Sequence, residues 1–223
     1  SDSVRCITQC ADGKYYVGTT GSLSIVTMSG GLAVMTNIDE ITYASSSAAD
    51  SQGNVAVVTD AGALYLLKDN KITGTYTDED AIYTSCQFGA DDTLYVSTLD
   101  GRVMNCRVDE GQITVSDCIA SSDLSNIISM TIHDDNLYLC ADNGAGYIDN
   151  TQKYHSINTN QFNSSLEGML IDYQGNYWFA SSRLGLLRMC RSVFSDVCAE
   201  AGIDSEVVNS TAAWEGKLYI GMD

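Results

Sequence analysis

The chain has 223 residues and a mass of 24.0 kDa, enough for one large core or two small ones. Eleven basic residues face 29 acidic ones, and the net charge of −18 repels phosphate backbones and anionic lipid, so neither nucleic acid nor a membrane surface is an expected partner. A 44% apolar content with only 18% charged residues excludes a disordered chain, and Ser, Thr, Gly and Asn interrupt every long uncharged stretch, so no membrane span is expected.

In chain order, six segments fall into register without gaps. They are residues 13–19 (GKYYVGT), 53–59 (GNVAVVT), 92–98 (DTLYVST), 135–141 (DNLYLCA), 175–181 (GNYWFAS) and 216–222 (GKLYIGM). Their starts lie 40, 39, 43, 40 and 41 residues apart. Proline is absent and glycine occurs 19 times, so tight turns must be built from Gly, Asn and Asp. Each segment opens on an Asp-Gly, Gln-Gly or Asp-Asp type pair, read as a two-residue hairpin turn. An apolar segment precedes each turn, at residues 4–10, 43–49, 82–88, 127–133, 166–173 and 207–214. Gly21, Gly62, Gly101, Gly144 and Gly185 open a further strand in each unit. A weaker fourth strand is expected at residues 32–36, 72–76, 113–118 and 194–198.

Four antiparallel strands per forty residues predict an all-β fold, a β-propeller of four-stranded blades. The blades are expected at residues 3–37, 41–77, 82–118, 127–160 and 164–202, with a partial sixth at 207–223. One such sheet cannot bury both faces alone; neighbours stacked radially bury each other. The column Gly18, Val58, Ser97, Cys140, Ala180 and Gly221 is small, as crowded sheets require. The column Tyr16, Ala56, Tyr95, Tyr138, Trp178 and Tyr219 is mostly aromatic and is read as packing between blades. No strand is left over to complete the sixth blade, so the domain is expected to be part of a longer propeller, or to have its open edge covered by another subunit.

Residues 166–189 read LEGMLIDYQGNYWFASSRLGLLRM. This stretch resembles the two-component regulator propeller repeat: an apolar pair, Asp, a Gly-Asn turn, an aromatic strand ending in a small residue and Ser, then Gly-Leu. Residues 140–149 (CADNGAGYID), 207–211 (VVNST) and 216–221 (GKLYIG) are similar to the same repeat. The resemblance is closest over 127–223, and blade two departs at Ala56. More narrowly, the segments look like extracellular propeller sensors of membrane-bound diguanylate cyclases from anaerobic Gram-positive bacteria. The resemblance implies an input domain on the extracellular face of a bacterial membrane, ahead of a GGDEF cyclase or histidine kinase module. Neither output motif occurs in these 223 residues.

Eight cysteines are present, none in a Cys-x-x-Cys pair. Cys6 and Cys10 share a strand about 13 Å apart, too far to bridge. Cys106 with Cys118, and Cys190 with Cys198, each span a third-to-fourth-strand hairpin, which leaves a disulfide open. The other reading is free thiols acting as small buried hydrophobes. Zinc is not expected, because no cysteine pair has finger spacing and only two histidines exist. His133 sits at a turn and His155 in a polar loop, and neither belongs to a catalytic motif. No cofactor-binding fingerprint occurs. The acidic clusters at residues 78–80, 91–92, 109–110 and 134–135 read as solvated turns.

Strand alternation puts the first-hairpin turns on one face of the propeller and the second-to-third-strand loops on the other. A ligand is expected on the second face, where the loops carry Asp60, Asp100, Asp142, Asn143, Ser182 and Arg183. Short polar side chains there suit a hydroxyl-rich or cationic small molecule or glycan, with Tyr43, Tyr83 and Tyr147 as candidates for an aromatic face. Arg183 is equally read as a salt-bridge partner of one of these Asp groups. Three functions follow: a non-catalytic ligand sensor; a protein-interaction or dimerisation scaffold using an open blade edge; and a carbohydrate-active hydrolase or lyase built from a carboxylate pair.

Overall fold

A computed structural model describes residues 2–121, 123–190, 202 and 207–222. The chain divides into two compact units, Ser1–Met189 and Cys190–Asp223.

The first unit is all β among its described residues. Its first sheet has the order β1 (Val4–Gln9), β2 (Tyr15–Thr19), β3 (Leu23–Ser29) and β4 (Leu32–Ile38). The second is β5 (Ala44–Ala49), β6 (Asn54–Thr59), β7 (Leu64–Lys68) and β8 (Lys71–Tyr76). The third is β9 (Tyr83–Phe88), β10 (Leu94–Thr98), β11 (Arg102–Asp109) and β12 (Gln112–Ala120). The fourth is β13 (Ile127–His133), β14 (Asn136–Ala141), β15 (Gly144–Ile148) and β16 (Tyr154–Ile157). A fifth sheet has three described strands, β17 (Leu166–Ile171), β18 (Tyr177–Ser181) and β19 (Gly185–Met189). The strand expected at 194–198 lies outside the described residues. All neighbours pair antiparallel, and the first strands β1, β5, β9, β13 and β17 pack side by side in sequence order. These are the blades of a β-propeller, with the first strand of each blade innermost.

The second unit contains one described hairpin, β20 (Val208–Trp214) with β21 (Lys217–Met222). Its turn residues Glu215 and Gly216 have φ of 48° and 72°.

The hairpin turns differ from expectation in an instructive way. Two consecutive positive-φ residues, the mark of a type I′ turn, occur at Asp134-Asp135 and Glu215-Gly216, and also in outer hairpins at Gly30-Gly31, Asp69-Asn70 and Glu110-Gly111. The first-hairpin turns at Gly13, Gly53, Asp92 and Gly175 carry a single positive φ. These are longer connections in which a side chain replaces one backbone turn. Asp50 accepts from the amides of Gln52 at 2.9 Å and Asn54 at 2.7 Å. Asp172 accepts from the amides of Gln174 and Asn176, both at 2.9 Å.

Hydrophobic seams run between successive sheets, as radial stacking requires. Tyr16, Leu23 and Ile25 of the first sheet share a core with Val55, Val57 and Leu67 of the second. Strand β6 is buried at all six positions because sheets lie on both of its sides. There Ala56 is fully buried in a cluster with Phe88 and Tyr83, so the neighbouring blade supplies the aromatic bulk that Ala56 lacks. Phe179, also fully buried, packs with Leu166, Cys140 and Ala145 between the fourth and fifth sheets.

Seven cysteines fall on described residues, and all seven are free thiols. The bridge left open between Cys106 and Cys118 does not form, because the β11–β12 register shifts after Asn105 and puts Val115 opposite Cys106 and Met104 opposite Cys118. Cys106 is buried and Cys118 exposed. Cys190 is an exposed free thiol, and Cys198 lies outside the described residues.

Candidate functional site

Every inner hairpin contains the same irregularity. Pairing skips one residue near the start of the first strand: Arg5 in β1, Ser45 in β5, Thr84 in β9, Ile128 in β13, Glu167 in β17 and Asn209 in β20. An extra residue in one strand breaks the inward-outward alternation and re-aims its side chain. In the first unit, the five skipped residues all line one cavity of about 930 Å³. The remaining lining comes chiefly from the same innermost strands, including Ile7, Ser47, Gln87 and Met130.

Main-chain hydrogen bonds tie the blades together at one rim of this cavity. The Tyr43 amide donates to the Thr20 carbonyl of the preceding blade at 3.4 Å. The Asn126 amide donates to Leu99 at 2.7 Å, and the Ser165 amide to Asp142 at 2.8 Å. Tyr43, Asn126 and Ser165 hold positive φ of 53°, 51° and 48° to reach these partners. Side chains join the inner strands below. Thr8 Oγ1 donates to the Ser47 carbonyl at 2.7 Å, and Ser97 Oγ to the Ile127 carbonyl at 3.3 Å. The cavity wall is therefore braced between adjacent blades.

The cavity is mixed in character. Arg5 forms an ion pair with Asp60, joining the first and second blades at the rim. Ser45 Oγ donates to the Val58 carbonyl at 3.2 Å, and the Thr84 and Ser97 hydroxyls are 3.0 Å apart. Glu167 is exposed and makes no ion pair among the described residues. Two cysteines also line it. Burial pushes the Cys86 thiol up to about 12, and burial raises the Cys6 thiol as well. Both therefore stay protonated near neutral pH and are poor nucleophiles.

Of the six loop residues expected to meet a ligand, Asp60 lines this cavity. The others lie elsewhere on the loops and have local partners. Asp100 bonds the Thr98 hydroxyl at 2.5 Å and Arg102 Nε at 2.8 Å, and these two, the hydroxyl first, hold its carboxyl below the usual range. Asp142 accepts from Asn126 Nδ2 at 2.7 Å. Asn143 accepts from the Ser125 amide at 2.9 Å and donates to the Asp123 carbonyl at 2.7 Å. The Ser182 amide donates to the Ser165 carbonyl at 3.3 Å, and the Arg183 amide to Ser181 Oγ at 3.1 Å. Arg183 forms no salt bridge among the described residues; the cation at the cavity is Arg5. Among the three tyrosines, Tyr83 lines the cavity, Tyr43 is half exposed at the rim, and Tyr147 stacks on His155 at 4.8 Å.

The skipped residues were absent from the sequence-based set. They carried one signal: all six stand seven or eight residues before the start of the aligned segments. Strict alternation gives no reason to single them out, because a bulge is a departure from it.

No protein-family model matches the chain, and no curated protein sequence matches it. Solved structures share its fold. A streptogramin B lyase superposes with a TM-score of 0.63 at 17% identity, covering 85% of this chain and 70% of the lyase. The extracellular domain of a hybrid two-component system protein from B. thetaiotaomicron superposes with a TM-score of 0.68 at 17% identity, covering 98% of this chain. The present chain spans 32% of that domain's length. The WD40 β-propeller domain of Doa1 superposes with a TM-score of 0.66 at 10% identity, covering 84% of this chain and 65% of that one.

Proposed function

We propose that this chain is a non-catalytic, ligand-sensing input domain on the extracellular face of a bacterial transmembrane signalling protein. The observation that carries the reading is the cavity of about 930 Å³ into which five blades each contribute one side chain through the same bulge. A volume of this order suits a small molecule or glycan fragment. The superposition on an extracellular two-component domain over 98% of the chain supports the signalling context. Among the described residues, no helix is long and apolar enough to cross a membrane.

The lyase neighbour raises a catalytic alternative, and two carboxylates line the cavity, Asp60, held by Arg5, and Glu167. His155 is engaged by Asp149 at 2.6 Å, His133 lies 3.3 Å from Asp134, and neither histidine lines the cavity. The loop residues Asp60, Asp100, Asp142, Asn143, Ser182 and Arg183 remain part of the proposal as the rim a ligand crosses.

The test is a thermal-shift screen of sugars, amino acids and peptides, with an Ile7→Trp variant that adds bulk to the cavity wall from a position already 62% exposed. Hits that stabilise the parent chain and lose their effect in Ile7→Trp support the reading. Hits indifferent to Ile7→Trp but lost in an Arg183→Ala, Asp142→Ala double variant move the site to the loops. Turnover of a hit would replace the sensor with an enzyme.

A second reading, an interaction scaffold, draws on β4. This outermost strand exposes Leu32 and Met35 at 73% and 64%, apolar groups on a sheet edge that another chain can pair with. Light scattering after size exclusion separates a monomer from an edge-paired dimer.

A further inference from the structure

The chemistry of the ligand can be narrowed, on the basis of the sensing role proposed above. The bulges place a cation, an anion, two hydroxyls and a branched alkyl group around one cavity, as Arg5, Glu167, Ser45, Thr84 and Ile128. The two charges differ in condition. Arg5 is already paired with Asp60, so admitting an anion means competing with a carboxylate of the protein. Glu167 has no ion-pair partner among the described residues, so a cation can pair with it at no such cost. The field of the whole chain, with its net charge of −18, also concentrates cations and repels anions.

The rest of the wall speaks to the body of the ligand. Ser47, Gln87 and Asn126 add neutral hydrogen-bonding groups, and Ile7 and Met130 add apolar surface. A wall that offers both hydroxyl and apolar groups suits a ring with a polar edge and an apolar face. The geometry points to a small polyhydroxylated amine, of the amino-sugar class, whose ammonium pairs with Glu167 while its hydroxyls meet the Ser and Thr wall. An anionic sugar is repelled by the Glu167 carboxylate, and a neutral sugar gains a hydrogen bond to it but no ion pair.

The experiment is isothermal titration calorimetry on the 223-residue chain at low ionic strength, with glucosamine, glucose and glucuronate as probes. Glucosamine should bind at least about tenfold more tightly than glucose, a difference of ~1.4 kcal/mol, and glucuronate should not compete. Glu167→Gln should abolish the preference for glucosamine without lowering Tm, because Glu167 is exposed and forms no ion pair among the described residues. Equal affinities for glucosamine and glucose, or a preference that survives Glu167→Gln, would overturn the inference. If all three sugars fail while other compounds stabilise the chain and Ile7→Trp blocks them, the amine assignment falls and ligand sensing stands. If no compound in the wider screen binds, both fall together.

Discussion

Trp178 Nε1 donates a 2.9 Å hydrogen bond to the Asp172 carboxylate across the β17–β18 turn. The same carboxylate accepts from the Asn176 side chain at 2.9 Å and from two backbone amides, so one acidic residue holds the turn and orients Trp178, the second residue of β18. Arg188 then lies 5.4 Å from the Trp178 ring centre. The Asp, the Gly-Asn turn and the aromatic that carried the family resemblance are thus parts of one local structure.

Acidification should loosen this turn. The Trp178 indole, followed by the Asn176 side chain, holds the Asp172 carboxyl well below the ordinary carboxylate value. A carboxyl with a depressed folded-state pKa contributes stability above the unfolded value, about 4, and loses it as pH falls further toward the folded value. Thermal melts followed by circular dichroism should show Tm falling from pH 6 to pH 3, with a shallower fall in Asp172→Asn. A fall of equal slope in both proteins would assign the acid sensitivity to other carboxylates.

Gly18 is required by space rather than by its backbone conformation. A Cβ there would lie 2.4 Å from Cys6 Sγ and 2.7 Å from Ala44 Cβ, between the first and second blades. Gly18→Ala should therefore cost about 1–3 kcal/mol in urea unfolding, the range for overpacking. Adding Cys6→Ala should recover part of that loss.

The seam between the fourth and fifth blades holds a tyrosine pair whose hydroxyls are 3.2 Å apart. Burial, then the Tyr177 hydroxyl, raises the Tyr138 phenol well above its ordinary value, so Tyr138 keeps its proton beyond the ordinary tyrosine range. Tyr138→Phe and Tyr177→Phe should each destabilise by about 0.5–1.5 kcal/mol. The double variant should cost less than the two effects added, because both remove the same bond.

Thiol labelling should divide the cysteines by burial. Cys118 and Cys190 are exposed, whereas desolvation pushes Cys86 and Cys140 up to about 12 and Cys106 up to about 11. Iodoacetamide at pH 8, read by peptide mass spectrometry, should modify Cys118 and Cys190 in the native protein and reach Cys86, Cys106 and Cys140 only after unfolding. Native labelling of Cys106 at the rate of Cys118 would contradict the buried position.

The site was less legible than the fold. The forty-residue spacing exposed the aromatic strands because Tyr16, Tyr95 and Tyr138 pack against the next blade, a demand shared by the first, third and fourth blades. The loop aspartates looked like ligand groups because they are polar and share a face. The structure gives Asp100 to Arg102 and Asp142 to Asn126, contacts made within a loop or between neighbouring loops.

Sequence by itself determined the sheet period, the hairpin positions and the small and aromatic columns, because each follows from interactions a few residues apart or from the same packing repeated in every unit. Tertiary structure alone decided that Arg5, Ser45, Thr84, Ile128 and Glu167 meet around one cavity, and that Arg5 is spent on Asp60 while Glu167 has no ion-pair partner among the described residues. A bulge shifts one residue against its partner strand, and a charge becomes available or satisfied only through neighbours from other blades; both depend on three-dimensional registration between distant segments, to which a linear pattern is blind.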